Sequence, residues 1–215
     1  KKAMKIGKDF LPYKKGDTYT LESLDYPVVS HYLDDIAENK GIKDFTKRVS
    51  GKKDNKIIHF IYDDTFPYAK WADDNNLDIN LYKVKDVVDL LSVLVHEFRH
   101  VITVMVNEPM STKEERETAD PEEYVDFPEE NIAFPEMIKF MLYVLLMPRD
   151  AIYDKLLDIV GEDNEEKVEE WLEEAENIKK QANYPSHPNN VIIASNEYYP
   201  KGLKESDIWD YYDGV

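Results

Sequence analysis

Residues 86–106 read DVVDLLSVLVHEFRHVITVMV, and no other stretch constrains the fold as strongly. Asp89, Ser92, His96, His100, Thr103 and Asn107 recur at spacings of three or four, which traces one polar stripe along a helix. Nearly everything between them is Val, Leu, Ile, Met or Phe. A helix apolar around most of its circumference is buried on those sides. Its polar stripe then has to face a cleft, a cavity or partner groups, because buried polar groups need satisfaction. Asp89, His96, Glu97, Arg99 and His100 make the same stretch a costly membrane span, so a buried helix of a water-exposed protein is the better reading.

Outward from this helix, the flanks read as an α+β chain. Toward the N-terminus, Pro27 opens a helix with Val28, Val29, Tyr32, Leu33 and Ile36 at helical spacing, and Gly41 stops it. Phe45–Val49 and Ile57–Tyr62 are β-prone runs around a Gly/Asn/Asp turn, which predicts a hairpin, with Ile79–Tyr82 as a third strand. Toward the C-terminus, 108–127 is an acidic connector. A second buried helical run starts near Pro128, is kinked or split by Pro135, and is apolar nearly all round from Met137 to Met147. Residues 149–160 give a short helix. Residues 163–182 give an amphipathic one, opened by an Asp163/Glu166 capping box, with Val168, Trp171, Leu172, Ala175 and Ile178 on one face. The tail from 184 is irregular, with one β-prone run at 191–194. The expectation is a single domain over 1–215: a mixed part to 85, a helical metal-binding part over 86–183, and the tail.

The 215 residues carry a net charge of −18, which argues against a nucleic-acid partner and against adsorption to an anionic membrane. The absence of cysteine removes disulfides, thiolate metal sites and a cysteine nucleophile. Residues 1–10 hold no apolar run of signal-peptide length, which makes the cytoplasm the default compartment; the chain starts at Lys1, so a leader trimmed ahead of it is compatible with this.

His96-Glu97-Phe98-Arg99-His100 is an H-E-x-x-H pattern. Residues four apart stack one helical turn above each other, so His96 and His100 can aim both imidazoles at one point, with Glu97 beside them. Zn²⁺ is the expected ion, and catalytic zinc usually takes three protein ligands plus water. No histidine follows at the spacing of a third imidazole, so a carboxylate from the next helix is the natural donor. Glu130 is the best placed, with the small Ala133 three residues on; Glu129 and Glu136 are its rivals. His31 reads as a surface residue and His59 as a satisfied structural one.

This combination resembles the zincin metallopeptidases, and within them the gluzincins, which pair H-E-x-x-H on one helix with a Glu from an E-x-x-A-like segment on a later helix. The resemblance covers 86–147. It implies a zincin-like α+β fold, with His96, His100 and Glu130 as zinc ligands, Glu97 as general base, and a peptide or protein as substrate. By the same analogy a strand edge above the metal helix would bind substrate, and the run Ile57–Tyr62 is its counterpart. Leu145-Leu146-Met147-Pro148 is similar to a segment after the third ligand in regulatory peptidases of mobile elements. Arg99, Tyr124, Tyr143, His187 and Tyr198 are open candidates for stabilising the oxyanion, and Asp89 for holding a histidine from behind. Two other classes compete: a catalytically inactive zincin-like or acidic protein-binding module, and a di-iron carboxylate bundle. The latter needs a second E-x-x-H, and the residues three before the other histidines are Val28, Lys56, Val93 and Tyr184.

Overall fold

The computed structural model describes residues 11–181 and is α+β. The described residues up to Leu94 belong to one compact unit and those from Val95 to another, so the division falls inside a single helix. Among the described residues no helix is long and apolar enough to cross a membrane.

The first unit holds a mixed four-stranded sheet in the order β1-β2-β4-β3, with β1 Thr18–Tyr19, β2 Ile57–Ile61, β3 Ala69–Trp71 and β4 Asn76–Asn80. β2 runs parallel to β4 (Ile57 opposite Asn76, Ile61 opposite Asn80) and antiparallel to β1; β3 is antiparallel to β4. Period-two alternation puts Ile58 and Phe60 on the buried face of β2, and Leu77 and Ile79 on that of β4. Asn80 is wholly buried and fully satisfied. Its Nδ2 donates to the carbonyls of Asp63 and Phe66, and its Oδ1 accepts from the N–H groups of Asp63 and Tyr82.

Three expectations for this unit are corrected. Phe45–Val49 is a helical turn, α2, not a hairpin strand. Phe45, Thr46 and Val49 are buried, α2 packs on α1 (Pro27–Asn39), and the Thr46 N–H is held by Asp34. Tertiary contact overrides a β-prone composition here. The third strand begins at Asn76 rather than Ile79, because Asp73 caps the preceding turn by accepting from the N–H groups of Asn75 and Asn76. β2 is flanked on both sides, so the sheet edges are β1 and β3 instead. His59 pairs with Asn76 (Nε2 to Oδ1, 2.8 Å) in the structural role expected of it.

Helix α3, Val87–Met105, bridges the division between the units. Reciprocal acids start it: Asp86 accepts the Asp89 N–H, and Asp89 accepts the Lys85 N–H. Asn107, left-handed at φ 55°, ends it, with the Glu108 N–H returning to the Thr103 carbonyl.

In the second unit the acidic connector is partly helical: α4 is Lys113–Thr118 and α5 is Pro121–Tyr124. A capping box, Thr112 with Glu115, opens α4. α6 is Glu130–Lys139 and is not split by Pro135; it passes instead into a π-helical turn, Phe140–Val144. Met137, Ile138, Phe140, Met141 and Met147 are buried, but Leu142 to Leu145 are half-buried and Leu146 is exposed, so the run is not apolar-buried all round. α7 is Arg149–Val160. α8, Glu165–Gln181, is led in by a 3₁₀ turn at Glu162–Asn164, where a capping box was expected. α8 packs on α6 and α7 through Val168, Trp171, Leu172 and Ala175. The run expected at 191–194 lies outside the described residues.

Candidate metal centre

α3 and α6 bring three side chains together: His96, His100 and Glu130. Nε2 of His96 lies 3.1 Å from Nε2 of His100. Glu130 Oε2 is 3.2 Å from the first of these nitrogens and Oε1 is 3.3 Å from the second. Atoms about 2.0–2.1 Å from one tetrahedral ion stand roughly 3.3 Å apart; the two nitrogens are spaced in this way, and the carboxylate offers each of them a different oxygen at a similar distance. No second carboxylate–histidine pair joins these three among the described residues, as a di-iron centre would require.

Local structure explains the convergence. The four-residue spacing puts the imidazoles one turn apart, with rings edge to face and centroids 4.7 Å apart. Glu130 opens α6, where the positive end of the helix dipole favours an anion. Ala133, one turn on, is completely buried. Phe134 lies against His96 at 4.5 Å between ring centres and stacks on Trp171 at 4.2 Å. The Trp171 indole donates to Asn131, so α8 braces the α6 turn that carries the carboxylate.

The site is deeply set: Glu130 is 3% exposed and His96 7%. Burial alone would raise the Glu130 carboxyl, but His100 and His96 outweigh it and hold it far below the usual carboxylate range. Burial likewise opposes charge on His100, yet Glu130, with smaller help from Glu97 and Glu129, raises that imidazole above its ordinary value. Nδ1 of each histidine is buried and hydrogen-bonds to nothing within the described protein. Asp89 therefore does not hold His96 from behind; its carboxylate is spent on the Lys85 N–H.

The outer members of the polar stripe are satisfied locally. Ser92 donates to the Val88 carbonyl, and Thr103 lies between Arg99 and Glu108. Of the stripe, only the two histidines join a group that could hold a metal ion, among the described residues. The rivals of Glu130 are occupied as well. Glu129 accepts from Ser111 and Arg116, and Glu136 pairs with Lys139 at 3.6 Å.

Of the five candidates for the oxyanion, Arg99 is buried and engaged by Thr103 and Glu108, both at 2.7 Å. The Tyr143 hydroxyl donates to the Ala175 carbonyl. His187 and Tyr198 lie outside the described residues. Tyr124 remains. It is 41% exposed overall, while burial of its hydroxyl, then the charges of Glu130 and Glu97, push the phenol well above its ordinary value. It is thus a neutral donor beside the Glu130 carboxylate. Glu97, half-buried on α3, acts electrostatically on both His100 and Tyr124.

Sequence reasoning missed the Phe134–Trp171 stack and the partners of Glu129. The Thr112-x-x-Glu115 box was a readable sign that the connector is ordered. No family model, no curated protein and no solved structure matches this chain.

Proposed function

We propose that this chain is a zinc-dependent peptidase of zincin-like, gluzincin type, with His96, His100 and Glu130 as ligands. The observation that carries this reading is the convergence of two imidazole nitrogens and one carboxylate, from two helices, at mutual distances of 3.1–3.3 Å in a buried setting. Zinc in such a site supplies Lewis acidity, polarising a peptide carbonyl and easing ionisation of a water. Glu97 lies beside the donor set rather than in it, where its carboxylate takes a proton from the attacking water and returns it to the leaving amine. Tyr124, neutral and beside the Glu130 carboxylate, is placed to turn its O–H from that carboxylate to the oxygen on which charge develops. Phe134 and Trp171 wall the site with apolar surface and hold water off its inner side.

The test is metal content together with hydrolysis. Wild type is expected to hold one zinc per chain by plasma mass spectrometry and to cleave an unstructured protein such as casein. His96→Ala is expected to lose both, and Glu97→Gln to keep the metal and lose cleavage. Stoichiometric zinc in His96→Ala, or full cleavage by Glu97→Gln, overturns the assignment.

A further inference from the structure

Glu129 is as buried as Glu130, at 3% exposed, yet it ligates nothing in the donor set. Consecutive helical positions point about 100° apart, so the two carboxylates cannot face the same group. A buried carboxylate needs partners, and Glu129 takes three. The Ser111 N–H donates to it at 2.7 Å, the Ser111 hydroxyl donates through a very short bond, and Arg116 reaches it at 3.3 Å. Arg116 also donates to the Ser111 carbonyl at 3.0 Å, closing a ring of three residues. Ser111 is itself buried. The ring ties the connector leaving α3 to the residue immediately before the proposed third ligand.

We infer that Glu129, clasped by Ser111 and Arg116, is a positioning residue that fixes the direction of the Glu130 carboxylate toward the two histidines. This rests on the metal-site reading above. Glu130 follows Glu129 directly in the opening turn of α6, where the Glu130 and Asn131 N–H groups return to the Phe127 carbonyl and those of Ile132 and Ala133 to the Glu129 carbonyl, so whatever anchors Glu129 sets the direction of this turn. Among the described residues neither histidine Nδ1 has a hydrogen-bond partner, so the support described for this site enters through the carboxylate. Loss of a group bonded directly to a metal ligand typically weakens metal binding about 10–100-fold; Glu129 acts through the backbone, so its effect is expected at or below the lower end of that range.

The experiment measures the Zn²⁺ dissociation constant by competition with a chromophoric chelator, and the melting temperature of the metal-free protein, for wild type and three variants. Glu129→Ala is expected to weaken zinc binding by up to about 10-fold, the lower end of what loss of a ligand's direct partner causes. Ser111→Ala, which removes one donor and leaves every charge in place, is expected to weaken it in the same direction by less. Glu129→Gln, which keeps the shape and one acceptor oxygen, should fall between wild type and Glu129→Ala. If Glu129→Ala does not fold, Ser111→Ala carries the test, because Glu129 then keeps its bonds to the Ser111 N–H and to Arg116. Wild-type affinity in Ser111→Ala and Glu129→Ala overturns the inference while leaving the metal site standing. So does a lowered melting temperature with unchanged affinity, which marks a role in folding alone. Equal weakening by Gln and Ala at 129, with Ser111→Ala unchanged, overturns it in favour of simple charge attraction. A wild type that binds no zinc removes the site and the inference together.

Discussion

The two sides of the first turn of α6 hold the same residue type at the same depth and put it to opposite uses. Glu130 faces two imidazoles and Glu129 faces a serine, a backbone N–H and an arginine. Both carboxyls are held below the ordinary value against the effect of burial, Glu130 by the histidines and Glu129 by the hydrogen bonds of Ser111 and Arg116. The difference teaches that a buried acid's role is set by what its direction on the helix meets. The Glu129 partners are already complete; those of Glu130 are basic nitrogens that a cation can share.

The sharpest way to break this comparison is Glu130→Ala. Zinc affinity should fall by more than the roughly 100-fold that marks the upper end of changes outside the ligand set, measured by chelator competition. A smaller loss would mean that a neighbour substitutes for it. Next is Glu97→Gln, expected to lower turnover by about 10²–10⁴-fold, the usual worth of a general base, with zinc stoichiometry unchanged. Third is Trp171→Ala, which removes the indole stacked on Phe134 and its bond to Asn131. It should destabilise the fold by about 3–5 kcal/mol in denaturant unfolding.

The fourth sharpens the comparison through pH. In chelator-treated protein, the raised His100 value contributes stability that is complete below about pH 6.5 and is lost as pH rises through the folded value. The depressed Glu130 value contributes stability present above about pH 4.3 and lost as pH falls well below it. Metal-free protein should therefore melt highest between these limits and decline above neutrality, and Glu130→Gln should flatten that decline. Zinc affinity should run the other way and rise with pH, since the proton on His100 must leave first. The smallest effect belongs to Glu136→Gln. Its pair with Lys139 spans 3.6 Å, so a change of about 0.5 kcal/mol or less, with zinc binding unaltered, is expected.

α3 was legible because its periodicity spans nineteen residues and is reinforced by every apolar position between the polar ones. His96, His100 and Glu130 followed from helix geometry and from where the next buried run begins. α2 was not legible as a helix, since five residues carry too little pattern to outweigh their β-prone composition. Asp34 and the packing of Phe45, Thr46 and Val49 decide it from outside the segment. The Ser111–Glu129 clasp joins residues 18 apart through a loop, and no periodicity encodes such a pairing. The π-helical turn after Lys139 was likewise invisible, because its sequence FMLYV suits an ordinary helix equally well.

The connector between α3 and α6 is moored twice near its start, where Glu108 grips Arg99 and Ser111 grips Glu129. Between those moorings lie only Pro109 and Met110, so this short bridge runs from the helix of the imidazoles to the turn of the carboxylate. Residues 117–128 leave from Arg116 and return to Glu129, which Arg116 contacts at 3.3 Å. The length of this excursion is then free to drift without disturbing the distance between His100 and Glu130. The number of residues separating His100 from Glu130 is for this reason a poor fingerprint, and relatives are better sought by the bridge than by the gap.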